Sequence, residues 1–310
     1  MGSSRWSSAD WATYSKSTAG KSTSEIFRSS KMDPELDPKG ITMRESRDSD
    51  LNPESTAVIV ACDVTGSMGM LAENLIRKGL GTLFEEVLER KPVTDPHVMA
   101  MAIGDATMYD RAPLQVTQFE ADLTIADQLE KVYVEGGGGG NCYESYDLPM
   151  YFAAYHTSID CFEKRGKKGY LFTLGDEEAP SCTSLKAVKT FIGEDEGLQA
   201  DIPLSEVIEA AQKMYNVYHI IVAEGSYARR RLDRVRNSWN AVLGQNVIIL
   251  DDYTKLAEVI VSVMEVNEGK DAEDVAKSWD GDTSLVVANA VKDLDAAGKD
   301  FDDAMGVVRL

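Results

Sequence analysis

Short apolar runs of strand length recur along this chain, each followed by a stretch of helical spacing, and few folds accept that alternation. Residues 57–62 (AVIVAC) read as a short buried strand, and residues 97–103, 169–174, 217–222 and 247–250 as further strands. Residues 114–119 alternate apolar and polar, the pattern of a half-exposed edge strand. Helical spacing covers 71–88, 123–131, 146–162, 184–192, 205–214, 227–240 and 253–266. In the first of these, Leu71, Leu75, Leu80, Leu83, Phe84, Val87 and Leu88 fall on one side. Strands alternating with helices predict an α/β fold: a doubly wound parallel sheet with helices on both faces. Such sheets bind ligands beyond the carboxyl ends of their strands, where the strand order reverses. Functional residues are therefore expected just after strands.

The flanks differ from this centre. Residues 1–50 hold twelve Ser and four Thr, with eight basic and eight acidic side chains. They form a polar arm that cannot build a core. Trp6, Trp11, Tyr14, Ile26 and Phe27 are its exceptions, either anchors that dock on a surface or parts of a tail tied loosely to its own domain. Residues 51–268 are expected to be the domain proper. Residues 269–310 are an acidic extension with one amphipathic stretch, 284–294, either a small helix packed on the domain or a mobile tail.

Charge narrows the function. The chain carries 52 acidic and 32 basic side chains, a formal net charge of -20. That balance disfavours nucleic acid and anionic membrane as partners and suits divalent cations. The cysteines, Cys62, Cys142, Cys161 and Cys182, are too sparse for a disulfide scaffold, and His97, His156 and His219 are too scattered for a zinc site. No apolar run reaches the ~18 residues of a membrane span. The N-terminus has no apolar core of a signal peptide, and Trp6 stands where a myristoylation signal wants Ser or Thr. The expected compartment is the reducing cytoplasm.

The strongest motif follows the first strand: Asp63-Val64-Thr65-Gly66-Ser67-Met68-Gly69. Asp63, Thr65 and Ser67 stand at i, i+2 and i+4, a spacing that can turn three oxygen side chains one way in a loop leaving a strand. One carboxylate and two hydroxyls are hard ligands, suited to Mg2+ or Mn2+. The alternative is that Asp63 or Thr65 caps the following helix. Gly136–Gly140 precede another helix, but no Gly-Lys-Ser/Thr follows them, so they are not a phosphate-binding P-loop. Thr65 occupies the place where haloacid dehalogenase-type phosphatases need a second aspartate, and no histidine lies near a motif serine. Arg229, Arg230, Arg231, Arg234 and Arg236 make a basic patch on a predicted helix. It reads either as a solvated face paired with neighbouring carboxylates or as a dock for an acidic partner or RNA.

With its preceding strand and following helix, the ACDVTGSM segment resembles the von Willebrand factor type A domain, whose metal-ion-dependent adhesion site carries D-x-S/T-x-S after its first strand. The resemblance covers about residues 55–268. It implies a Rossmann-like, mostly parallel six-stranded sheet with one antiparallel edge strand. It also implies a threonine in a glycine-rich loop. That loop here reads GGGGGNCYESY and has none, so Asn141 and Glu144 are the replacements carried over. The family's aspartate after the fourth core strand corresponds to Asp176, in Gly175-Asp176-Glu177-Glu178. Asp105, after the second strand, is either a support behind the ligands or a turn residue. The implied function is a non-enzymatic, metal-dependent adaptor. Mg2+ or Mn2+ at Asp63, Thr65, Ser67, Asp176, Asn141 and Glu144 would receive an Asp or Glu of a partner protein. Intracellular members of the family serve assemblies that include AAA+ ATPases. Two alternatives stay open: an assembly subunit that laces its N-terminal arm into a neighbour around a structural metal, and a Mg2+-dependent phosphoryl hydrolase with Glu177 or Glu178 as base.

Overall fold

A computed structural model describes residues 4–107, 110–135, 143–193 and 198–294, without the side chains of Ser67 and Ile76. Six strands form the central sheet: β1 (Thr56–Asp63), β2 (Pro96–Ile103), β3 (Leu114–Val116), β4 (Gly169–Gly175), β5 (Tyr215–Val222) and β6 (Val247–Leu250). Their order is β6-β5-β4-β1-β2-β3, and every pair is parallel except β2 with β3. This is the doubly wound, mostly parallel sheet with one antiparallel edge strand that the sequence implied. All eight residues of β1 are buried, as a central strand covered on both faces requires. The winding reverses between β1 and β4. The crevice beyond their carboxyl ends, after Asp63 and Gly175, is therefore the expected ligand position.

Alternation along β1 divides the core in two. Val58, Val60 and Cys62 face one apolar layer, and Ala57, Ile59 and Ala61 face the other. The flanking helices include α1 (Ser8–Thr18), α2 (Leu80–Arg90), α3 (Asp147–Tyr155), α4 (Leu204–Gln212), α5 (Ala228–Leu243) and α6 (Leu256–Asn267). The apolar residues of α2 and α6 lie in the first layer, and those of α3, α4 and α5 in the second. No helix among the described residues is long and apolar enough to cross a membrane.

Three expectations need correction. The helix expected over 71–88 is interrupted by a π turn, Leu75–Gly79, between Gly69–Asn74 and α2. Leu88, assigned to the buried side, is 39% exposed. The stretch 146–162 is not one helix. It leaves helical geometry at His156, forms the strand Thr157–Ile159 and re-enters a helix at Asp160–Arg165. The competing interaction is a parallel ladder with Arg44–Ser46, begun by the Arg44 N–H donating to the His156 carbonyl. The edge strand is shorter than expected and buried at all three residues rather than half-exposed. The segment before Arg44 covers it: the Val116 N–H donates to Leu36 O, and the Arg44 guanidinium to Val116 O.

Within residues 4–50, the aromatics pack inward. Trp6 stacks on Phe84 at 4.4 Å between centroids and 7° between planes, and Trp11 meets Trp6 at 5.3 Å. Gly81 makes room for Trp11, since a Cβ there would lie 1.9 Å from the indole nitrogen. After α6, the helices Ala272–Lys277 and Asp282–Val291 bury Val275, Val287 and Val291 in the first layer. Trp11→Ala should therefore lower the free energy of unfolding by about 3 kcal/mol. Urea unfolding followed by circular dichroism would measure it, and an unchanged midpoint would show that the arm contributes nothing to the core.

Candidate metal centre

Four acids gather at the reversal of strand order. Asp63 ends β1, Asp176 and Glu177 follow β4, and Glu144 stands just before α3. Asp63, Asp176 and Glu144 are each at most 4% exposed. The burial has an identifiable floor. Tyr146 lies beneath Asp63 and donates its hydroxyl to Asp63 Oδ2 at 3.1 Å. Its ring meets His219 edge-on at 5.2 Å, and His219 stacks on Trp239 at 3.6 Å. Trp239 in turn donates its indole N–H to the Glu177 carbonyl at 3.0 Å. Gly175 is required here, because a Cβ would sit 2.0 Å from the Tyr146 hydroxyl.

Each acid is held differently. Asp63 Oδ1 accepts from the Thr65 N–H at 2.8 Å and the Thr65 hydroxyl at 2.6 Å. Thr65 heads the next helical turn, but its side chain caps nothing, so the capping alternative does not describe it. The same aspartate–threonine turn recurs at Asp105–Thr107 and at the exposed Asp252–Thr254. The turn alone is thus a local habit of the sequence. Asp105 is as buried as Asp63, so what sets Asp63–Thr65 apart is Glu144, whose Oε1 lies 3.2 Å from the Thr65 hydroxyl. Asp176 Oδ2 accepts from the Tyr227 N–H at 2.8 Å, at the start of α5. The Tyr227 and Ala228 N–H groups favour its charged form, although α5 leaves helical geometry at Arg231 (φ -143°, ψ 30°), so only a short turn follows them before the kink. Gly225 permits the approach, since a Cβ there would come within 2.3 Å of Asp176 Cβ. Glu144 is fixed by its neighbour: the Ser145 N–H donates to Gly104 O and the Ser145 hydroxyl accepts from the Ala106 N–H, tying the segment to the end of β2.

Two oxygens are left over. Glu144 Oε2 and Glu177 Oε2 are buried and without a hydrogen-bond partner. Among the described residues, no Lys or Arg forms an ion pair with any of the four acids. Burial raises all four carboxyl pKa values, and mutual repulsion adds to it for Asp63, Glu144 and Glu177. Asp63 is pushed up to about 7 by burial and by Asp176, against the opposing donors on Thr65 and Tyr146. Glu144 is pushed up to about 10 by burial, then by Asp63, Glu177 and Asp105. Glu177 reaches about 7 through burial and the charges of Asp63 and Asp176. Asp176 is raised by burial despite the N–H groups of Tyr227 and Ala228.

An all-oxygen set with unpartnered buried carboxylate atoms fits a hard divalent cation. Among the described residues, no group of three or more His, Cys, Asp and Glu side chains is placed so as to hold a metal ion by itself. A cation would therefore draw on further donors besides these acids. Asn141 lies outside the described residues, as does the side chain of Ser67. The structure thus brings together Asp63, Thr65, Asp176 and Glu144, with Asp105 behind Glu144. It adds Glu177, considered from sequence only as a base. The acidic run directly after a strand was the available signal for it. Nothing in the sequence signalled Tyr146, Gly175 or Gly225.

No protein-family model and no curated protein matches the chain in sequence. In structure it is similar to a pilus adhesin, SpaC from Lactobacillus rhamnosus GG. One crystal form aligns over 74% of this chain and 32% of the adhesin, at 9% identity and a TM-score of 0.45. An open conformation aligns over 74% and 31%, at 9% identity and 0.44. A von Willebrand factor type A protein from Catenulispora acidiphila aligns over 71% of this chain and 44% of its own, at 15% identity and 0.38. In each case the match spans less than half of the other protein.

The sign of the pH dependence follows from the raised carboxyl pKa values. Between the ordinary carboxylate range and about 7, these carboxyls and Asp147 bind more protons in the folded chain than in the unfolded one. They outnumber buried His97 and His219, whose lowered pKa values act in the opposite sense, so stability falls as pH rises. In EDTA, Tm should be higher at pH 5 than at pH 7.5, and Glu144→Gln should raise Tm at pH 7.5 by at least about 2 °C. Differential scanning calorimetry of both proteins checks this, and a wild-type Tm that rises over that interval would contradict it. Gly175→Ala should cost about 1–3 kcal/mol by displacing Tyr146, measured by denaturant unfolding.

Proposed function

We propose that this chain is a von Willebrand factor type A-like protein-interaction module. Its acidic site binds Mg2+ or Mn2+ and, through the cation, an Asp or Glu side chain of a partner protein. The observation that carries this reading is the convergence of Asp63, Glu144, Asp176 and Glu177 at the strand-order reversal, with Glu144 Oε2 and Glu177 Oε2 buried and unpartnered. Thr65 belongs to the same set, and Ser67 and Asn141 are the further donors that the sequence offers. A bound cation supplies an electrophilic centre with a position that an incoming carboxylate completes.

The chain's own groups prepare that exchange. The Thr65 hydroxyl lies between Asp63 and Glu144, where it can donate to either carboxylate. The Tyr227 and Ala228 N–H groups favour the anionic form of Asp176, in part offsetting its burial. The Tyr146–His219–Trp239 stack excludes water from below, which keeps the local dielectric low and the charges strongly felt. This reading is not that of an enzyme. Glu178, one of the acids available to a hydrolase as base, is engaged by the Tyr227 hydroxyl and by Arg234. An adaptor within an intracellular assembly, such as one built around an AAA+ ATPase, is the corresponding cellular role. The lacing alternative is less favoured, because Trp6 and Trp11 are already buried against Phe84 and each other.

Titration with Mn2+, following free Mn2+ by electron paramagnetic resonance, tests the site. One cation should bind per chain, and Asp63→Ala should weaken it by more than about tenfold. In parallel, a partner captured from host lysate in Mg2+ should be released by EDTA and not retained by the Asp63→Ala chain. Equal Mn2+ uptake by both chains would refute the site, and capture insensitive to EDTA would refute its role.

A further inference from the structure

The five arginines of α5 stand out on a chain of net charge -20. All five are exposed. Two have carboxylate partners: Arg234 pairs with Glu178 at 2.7 Å, and Arg236 with Asp233 at 2.9 Å. Arg230 donates only to the Ser226 carbonyl, and Arg231 lies over the Tyr227 ring at 5.7 Å. Among the described residues, Arg229, Arg230 and Arg231 have no carboxylate at ion-pair distance. The expectation of a face paired with its own acids therefore holds for two of the five. The other three guanidinium groups are at the end of α5 whose backbone holds Asp176. Tyr143, next to Glu144 in sequence, is 42% exposed and lies near Arg234.

We propose that Arg229, Arg230 and Arg231, with Tyr143 beside Glu144, form a rim that receives an acidic segment of a partner protein, the Asp and Glu residues flanking the one that enters the site. This rests on the preceding functional reading and adds to it what surrounds the incoming carboxylate. Several observations favour an acidic peptide over nucleic acid. The five arginines fall within eight residues, on either side of a break in α5 at Arg231, enough for a few residues of extended chain but short for a track of phosphates. The rest of the molecule is acidic and repels a long polyanion. Exposed Arg and Tyr beside a buried polar centre are the residue types that carry binding energy at protein interfaces. The rim also answers a charge problem. A partner with several acids would be repelled by Asp63, Glu144, Asp176 and Glu177, and the arginines offset that repulsion during approach.

The test uses the full chain and a fluorescein-labelled synthetic peptide of Gly-Asp-Ser-Glu repeats, with binding read by fluorescence anisotropy in Mg2+ and in EDTA. The Arg229→Glu/Arg230→Glu/Arg231→Glu chain should bind at least about tenfold more weakly than wild type in both conditions, and the Arg→Gln triple variant should fall between them. Circular dichroism confirms that both variants are folded. Wild type should bind more tightly in Mg2+ than in EDTA, and Asp63→Asn should remove that difference alone. Equal affinity of wild type and both arginine variants overturns the rim. A missing Mg2+ effect with the arginine effect intact overturns the cation reading and leaves the rim standing. No peptide binding by wild type, or preferential binding of a poly(dT) strand, overturns the acidic-peptide assignment.

Discussion

Carboxylates that are buried together without cations repel one another, and they have lost the water that would otherwise stabilise their charge. The arrangement of this molecule is intelligible as the set of compensations that such a cluster needs. The parallel sheet ends its strands at one edge, and the reversal of strand order marks one place along it. Loops from β1 and β4, and the segment leading into α3, bring acids to that place. Asp63 is compensated by three donors and Asp176 by backbone N–H groups at the start of α5. Glu144 and Glu177 each keep an oxygen with no partner, which is why the cluster reads as prepared for a positive charge rather than as a finished polar network.

The supporting structure acts through packing. Trp239 joins the wall of the site to α5, because its indole donates to the Glu177 carbonyl while its ring stacks on His219. Asp176 and Glu178 attach the same loop to the first turns of that helix. The site and α5 are thus one mechanical unit. Two glycines, Gly175 and Gly225, lack side chains because Tyr146 and Asp176 occupy the space. The opposite helical layer is extended by the N-terminal aromatics, which lie against Phe84 and Gly81 and so buttress α2.

Much of this was legible in the amino-acid pattern, for physical reasons. Strands covered on both faces are short apolar runs: β1 and β2 are rich in Val, Ile, Ala and Met, β4 in Leu and aromatic residues, and β5 ends in Ile-Ile-Val. The D-x-T-x-S loop pointed to Asp63 and Thr65 because it leaves a buried strand at the reversal of strand order, although the same aspartate–threonine turn occurs elsewhere in the chain. What escaped depended on distant partners. Residues 146–162 have helical spacing, but pairing with Arg44–Ser46 takes Thr157–Ile159 into a ladder, and local propensity says nothing about that segment. The burial of 114–116 depends on residues around Leu36, far away in sequence. The inward packing of Trp6 and Trp11 depends on Gly81 being bare. Glu177 was visible as an acid after a strand, but its participation depends on how the β4 loop is held by Trp239.

The central claim is that the cluster holds a divalent cation at the expense of protons. The most direct measurement is calorimetric titration of Mg2+ at pH 7 in two buffers of different ionisation enthalpy, which counts protons exchanged on binding. Because burial and mutual repulsion raise the Asp63, Glu144 and Glu177 carboxyls well above the ordinary carboxylate range, cation binding should release protons, and the release should shrink as pH rises. No heat of binding, or binding with no proton release at pH 7, would contradict the account.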